Sequence, residues 1–207
     1  MLITFEGVEG SGKTTQIELL YDYIVEKGYK AIKTREPGGT AFGEALRKVS
    51  LKPDLHVLPL SELLVFMAMR AQHVEELIAP ALQEGKIVLC DRFVDATYAY
   101  QGYGRGIDLG IIETLNRLVT KGIRPNLTIL LDCKVEEGFR RKAKSDPSMD
   151  RFEKETLSFH KKIKKAYLKL SKEDPKRFFV VNGSTGVEDV QKKIRDKAEK
   201  LLKTHGI

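Results

Sequence analysis

Short, almost wholly apolar runs punctuate the chain, and each is followed by a cluster of polar or glycine residues. Leu2–Phe5, Ala31–Thr34, Ile87–Cys90, Leu127–Leu131 and Phe178–Val181 are such runs. Their length and composition predict strands, and apolar residues on both sides predict burial on both faces of a parallel sheet. Between them the period changes. Ile17, Leu20, Tyr21 and Ile24 fall at i, i+3, i+4 and i+7, with Gly28 as a stop, which predicts a helix. Glu62 to Glu84 carries a long helical pattern bent near Pro80, and Val190, Ile194, Ala198 and Leu201 form the inward stripe of a last helix. Strands alternating with helices predict one three-layer α/β domain over residues 1–207, a five-stranded parallel sheet surrounded by helices.

Composition narrows the class. Hydrophobic residues are 42% and charged residues 31%, as in a soluble globular protein. No run approaches the roughly 18 apolar residues of a membrane span, and the N-terminal pattern is that of a strand and loop rather than a leader, so a cytoplasmic protein is expected. Cys90 and Cys133 each end an apolar run and read as buried free thiols, without metal-ligand spacing. The net charge of +7 suits a polyanionic partner, either nucleic acid or a small anionic substrate. Much of the excess lies in Arg140 to Lys169, where a solvated helix face accounts for it equally well.

In a parallel sheet the binding crevice lies beyond the carboxyl ends of the strands, where the polar clusters stand. The first is Gly7-Val8-Glu9-Gly10-Ser11-Gly12-Lys13-Thr14-Thr15, which fits G-x-x-x-x-G-K-[ST] directly after a strand. Its glycines let backbone N–H groups turn inward as an anion nest, and the following helix adds its dipole. Lys13 would reach the β- and γ-phosphates of a nucleotide, and the Thr14 hydroxyl would bind Mg²⁺. Asp91-Arg92 ends the third run: the acid suits a metal held through water, the arginine a bidentate grip on phosphate. Arg35 precedes a turn enforced by Pro37, Gly38 and Gly39. Phe66 and Arg70 share a helix face and read either as core or as a stacking plane and donor for a base. Tyr98, Tyr100 and Gln101, before the glycine-rich 102–106, admit the same two readings.

Taken together, "FEGVEGSGKTT", "REPGGT", "LLVFMAMRAQH", "DRFVDATYAYQGYGRG" and "DRFE" resemble the motifs of thymidylate kinases in order and spacing, from Leu2 to about Val187. The resemblance implies the nucleoside monophosphate kinase fold and the reaction ATP + dTMP → ADP + dTDP. It also implies Mg²⁺ and a homodimer. Aromatics that cluster with phosphate-type arginines at one rim, rather than along a basic groove, predict no nucleic-acid partner, and the lack of a long apolar run predicts no membrane partner. By position it places Phe66 on thymine, Arg70 on the base O4, Arg35 and Arg92 on the acceptor phosphate, with Pro37 beside them. Thr97 and Gln101 line the base, Tyr100 packs on the deoxyribose, and Glu9 contacts the 3′-hydroxyl. Arg141 and the 182–187 loop, with Ser184 and Thr185, flank adenine, and a mobile lid spans about 140–150. Ala96 stands where the family commonly has serine, and the lid carries lysines where relatives often have arginines. Lys13 and Arg92 are the expected catalytic cations, with Arg141 or Lys144 adding charge from the lid. A kinase for another nucleoside monophosphate or deoxynucleoside, and a P-loop ATPase acting on nucleic acid, are the competing readings.

Overall fold

The computed structural model describes residues 1–145 and 149–204. Among them, strands β1 (Leu2–Glu6), β2 (Ala31–Arg35), β3 (Ile87–Asp91), β4 (Leu127–Asp132) and β5 (Phe178–Asn182) form one parallel sheet in the order β2-β3-β1-β4-β5. Each runs one residue beyond its apolar run. Arg35 pairs with Asp91 and Asp132 with Asn182, because ladder hydrogen bonds belong to the backbone and tolerate a polar side chain at the strand end. Burial on both faces holds for β1, β3 and β4. The edge strands β2 and β5 depart from that expectation and are partly exposed, since helices cover the middle of the sheet better than its rims.

Side chains alternate between the two faces of β1. Ile3 and Phe5, with Leu89, Ile129 and Leu131, meet Ile17, Leu20 and Ile24 of α1 (Lys13–Glu26) and Ile194 and Ala198 of α9 (Val187–Thr204). Phe5 is wholly buried in that layer, so truncation to alanine should cost about 3–5 kcal/mol. On the other face, Leu2, Val88 and Cys90 meet Val74, Ile78 and Phe93. Leu130 and Phe178 pack there on Ile163, Ala166 and Tyr167 of α8 (Leu157–Glu173). Glu6 shares that side, where it meets Tyr167.

The helices follow local chemistry. α1 stops at Gly28, whose φ of +87° allows Gly28 N to bond Val25 O and Tyr29 N to bond Ile24 O. The stripe of α9 ends on Leu202 in the core, with Leu201 only partly buried beside it. The long middle helix begins before the expected Glu62, as α3 (Pro59–His73), because proline is well placed in a first turn. It continues as a π-helical segment, Val74–Ile78, into α4 (Ala79–Gln83). Pro80 has no N–H for the Glu76 carbonyl and its ring crowds that group, so the regular α-helical bonding gives way to π-helix in the turn before it. After β3, α5 (Val94–Thr97) runs into a second π-helical segment, Tyr98–Gly104. Caps mark two more helices. Thr40 Oγ1 accepts Gly43 N to start α2 (Ala41–Ser50), and Asp108 accepts Gly110 N and Ile111 N to start α6 (Leu109–Thr120). α7 (Val135–Ser145) follows β4.

Candidate active site

A cavity of about 1290 Å³ opens beyond the carboxyl ends of the strands, larger than the 300–1,000 Å³ or so that one small ligand needs. Residues that follow β1, β2, β3 and β5 all line it. At its floor, the loop after β1 turns on Gly10 and Gly12, with φ of +65° and +97°. A Cβ at Gly10 would come within 1.9 Å of the Gly138 carbonyl, so α7 lies directly against this loop. Lys13 folds back with Nζ 3.3 Å from Gly7 O and 3.1 Å from Val8 O. Burial, then the nearby Arg92 charge, lowers its pKa. Gly10, Ser11, Gly12, Thr14 and Thr15 line the cavity, while Gly7 and Val8 serve it through their carbonyls.

Thr14 Oγ1 lies 3.3 Å from Asp91 Oδ2, and Asp91 Oδ1 and Ser11 Oγ are buried without a protein partner. That is a donor set for a hard cation carrying its own waters and substrate oxygens. Among the described residues no cluster of three His, Cys, Asp or Glu forms a cage, and Mg²⁺ in phosphoryl-transfer sites does not need one.

Arg92 stands in the left-handed region at φ +66°, a conformation costly for a non-glycine residue, with its N–H bonded to Phe5 O. Its guanidinium donates to Gly7 O and to Tyr167 Oη, each at 3.0 Å, pairs with Glu9, and sits 5.1 Å over the Tyr100 ring. Burial works to raise the Glu9 carboxyl, but Arg92, Lys13 and the Tyr100 hydroxyl together outweigh it and bring its pKa down to about 2. Such a group is a poor proton acceptor. Arg35 reaches the cavity but is half exposed and pairs with Glu44 at 2.9 Å. Arg47, which donates to Pro37 O at 2.6 Å, brings a second guanidinium to the same rim. Glu44 and Arg47 were legible only through the Thr40 cap, which sets them at i, i+3 on α2.

Phe66, Arg70, Thr97, Tyr100 and Gln101 line the same cavity, with Ala96 beside them, and the Tyr100 hydroxyl donates to Glu9 at 3.2 Å. Arg70 is engaged on every nitrogen: Nε holds Glu36 at 2.7 Å, Nη1 holds Thr97 at 2.8 Å and Asn116 at 2.6 Å, and Nη2 holds Phe93 O at 3.0 Å. Glu36 is shared with His73 at 3.1 Å. Phe152, which carried no assigned role, lies 5.8 Å from Phe66 and 5.5 Å from Tyr100 and completes the aromatic wall. Its position after "DR" of the "DRFE" motif was the available signal.

Near the loop after β5, Arg141 donates to Gly183 O at 2.8 Å and pairs with Glu137, which accepts Ser184 Oγ at 2.8 Å. Arg141 and Thr185 line the cavity, whereas Ser184 and Lys144 are exposed outside its wall. Lys142 lines it too, 3.5 Å from Glu153. Of the expected lid over 140–150, residues 146–148 lie outside the described residues.

Beneath the site, the wholly buried Glu6 accepts Phe93 N at 2.8 Å and meets the Tyr167 hydroxyl at 2.7 Å. Burial above all, then the charge of Asp95, pushes its pKa up from 4.5 to about 8 against the pull of Arg92. Between those values the folded chain keeps a proton that the unfolded chain has released. The contribution of Glu6 to stability is therefore fullest below about pH 4.5 and declines as pH rises toward about 8, by on the order of 1 kcal/mol per unit. Glu6→Gln, which copies the protonated carboxyl, should flatten that decline in urea melts compared at pH 5.5 and 8. Parallel declines in the two proteins would mean that Glu6 is ionised at neutral pH.

A strand–loop–helix phosphate cradle, an acid and arginine at the end of β3, and an aromatic wall lining the same cavity define the class: a P-loop kinase with the nucleoside monophosphate kinase fold. A family profile for thymidylate kinase matches residues 5–194, and the chain belongs to the thymidylate kinase family. It is 49% identical to a thymidylate kinase of Geotalea uraniireducens over 195 residues, 91% of this chain and 92% of that one. It is 50% identical to that of Pelobacter propionicus over 198 residues, covering 93% and 90%. The crystal structure of thymidylate kinase from Ehrlichia chaffeensis superposes with a TM-score of 0.79 at 36% identity, over 96% of this chain and 98% of that one. Among the described residues no helix is long and apolar enough to cross a membrane.

Proposed function

We propose that this kinase transfers the γ-phosphoryl group of ATP to the phosphate of dTMP, giving ADP and dTDP. The observation that carries this is one cavity lined both by Lys13 and the loop after β1 and by Phe66, Tyr100 and Gln101. Arg92 stands between them. A phosphate oxygen of dTMP attacks the γ-phosphorus while the bond to the β,γ-bridging oxygen breaks. The acceptor phosphate is already an anion, so no general base is required, and Glu9 with its low pKa is not asked to be one. Lys13 and the loop N–H groups neutralise the donor phosphates, and Arg92 with Arg35 orients the acceptor in line. Thr14 and Asp91 would hold Mg²⁺, which supplies charge neutralisation on the transferring group. Glu9 faces the sugar, Tyr100 packs on the deoxyribose, and Phe66 stacks on the base. Thr97 lines the base beside Arg70, which reaches a carbonyl by exchanging Thr97 or Asn116.

A coupled assay of ATP against dTMP, dUMP, dCMP, dGMP and AMP tests the assignment. dTMP should give the highest kcat/KM, and a tenfold preference for another acceptor overturns it. The ATP end is read the same way, with Arg141 and Thr185 beside adenine and the end of α7 as the base of a lid. Arg141 lines the cavity and Lys144 does not, so Arg141→Ala should lower turnover at least about tenfold with dTMP affinity little changed. Lys144→Ala should stay near wild type. Normal turnover in both variants would remove α7 from the chemistry.

The same proposal includes a cytoplasmic homodimer. Two buried free cysteines suit a reducing compartment. Exposed Phe42, Leu60, Leu64, Leu109 and Ile111, on α2, α3 and α6, supply apolar surface for a second copy, which sedimentation would detect. The excess positive charge is assigned to the anionic substrates rather than to nucleic acid.

A further inference from the structure

Bonded to Gln101 of the cavity lining is a buried carboxylate that does not itself line the cavity. Glu62, in the first turn of α3, is 1% exposed. Its Oε1 accepts Gln101 Nε2 at 2.8 Å and Arg105 Nε at 3.4 Å. Its Oε2 accepts Arg151 Nη1 at 2.6 Å and Arg105 Nη2 at 3.4 Å. A carboxylate between two guanidinium groups offers only acceptors. Gln101 must therefore turn its NH₂ toward Glu62, and the other branch of the amide, the carbonyl oxygen, is what it has left for the cavity it lines. Unanchored, a glutamine amide presents O or N with almost equal ease, because the two ends have nearly the same shape.

We propose that Glu62 is a positioning residue: it locks the Gln101 amide so that the cavity presents an acceptor to the base and selects a ring N–H. This rests on the reading of Phe66, Tyr100 and Gln101 as the base site. Arg70 cannot make the choice as cheaply, since each of its nitrogens is already bonded. Thymine carries an N–H at ring position 3 where cytosine carries a lone pair. Facing the locked oxygen, thymine gains a hydrogen bond and cytosine sets one acceptor against another. Sites built around such a bond reject the mismatched partner by large factors.

The test compares wild type with Glu62→Gln, whose own amide can donate as well as accept and so releases Gln101. Both guanidinium groups keep other partners, Arg105 with Glu155 at 2.5 Å and Arg151 with Ser50 O at 3.0 Å. The ratio of kcat/KM for dTMP over dCMP should fall at least about tenfold in the variant, through a higher KM for dTMP, with KM for ATP unchanged. A ratio within threefold of wild type overturns the proposal even if turnover drops. The Gln101 side-chain NH₂ resonances, identified by their loss in Gln101→Met, give a second measurement on the wild-type enzyme. They should exchange slowly with solvent, and fast exchange overturns the lock whether or not Glu62→Gln folds. A wild type that does not prefer dTMP over dCMP would sink the substrate assignment instead, and the NH₂ exchange would still decide whether Glu62 holds the amide.

Discussion

Replacing Lys13 by alanine is expected to lower turnover by at least about a hundredfold and to leave the fold standing. Lys13 is the buried cation at the floor of the cavity, and its Nζ rests on the Gly7 and Val8 carbonyls. An ammonium there needs only to turn from those carbonyls to meet the phosphates, where it stabilises charge that grows in the transition state. Groups aimed at such charge in a water-poor site contribute several kcal/mol. The loop should survive the loss. Gly7 O still accepts Arg92 Nη1 at 3.0 Å, and Val8 O still accepts Ser11 N at 3.3 Å. Steady-state kinetics beside a thermal melt decides the matter. Near-normal turnover in a folded variant would show that the cradle binds phosphate without taking part in its transfer.

Arg92→Ala should cost about 10²- to 10³-fold in kcat/KM for dTMP. Three contacts converge on this guanidinium, from Gly7 O, Glu9 and Tyr167, and the backbone beneath it is held at φ +66°. A strained backbone at a site of this kind suggests that the position of the side chain matters more than local comfort. Removal also leaves the partly buried Glu9 with Lys13 as its remaining cation, so its carboxylate then repels the incoming phosphate. Arg92→Lys keeps the charge without the planar fork and should recover only part of the loss. Arg92→Gly accepts the backbone angle freely and separates strain from chemistry. If glycine restored activity relative to alanine by more than tenfold, backbone strain rather than the guanidinium would be the source of the defect. Equal loss in both, with partial rescue by lysine, supports the phosphate-orienting role.

The elements most legible in the chain were those whose cause is local. Apolar runs of strand length, the 3.6-residue stripe of α1 and the stop at Gly28 need no distant partner, and they appear in place. The phosphate loop is legible for the same reason, because its glycines, Lys13 and Thr14 act within a single turn between β1 and α1. Phe66 and Arg70 share a face by helix geometry alone. α2 was harder to see because it buries only Gly43 and Ser50 and so lacks a core stripe. The π-helical turn before Pro80 was foreseeable as a bend but not as a place.

What tertiary structure alone decided is which side chain holds which. Thr14 meets Asp91 because β1 and β3 are neighbours, and no spacing of 77 residues announces that. Spacing says equally little about the capture of Arg70 by Glu36, Thr97 and Asn116, or about Arg141 reaching the cavity while Lys144 does not. Glu62 is the plainest case. In sequence it is a charged residue early in an amphipathic helix, which by itself suggests solvent. In the folded chain it is closed over by Gln101, Arg105 and Arg151 from two distant segments. Periodicity reports the face a residue takes on its own element, over distances set by the backbone. The partner it finds is set by strand order and by the packing of elements far apart in the chain, where a hydrogen bond's direction is decided by whatever arrives.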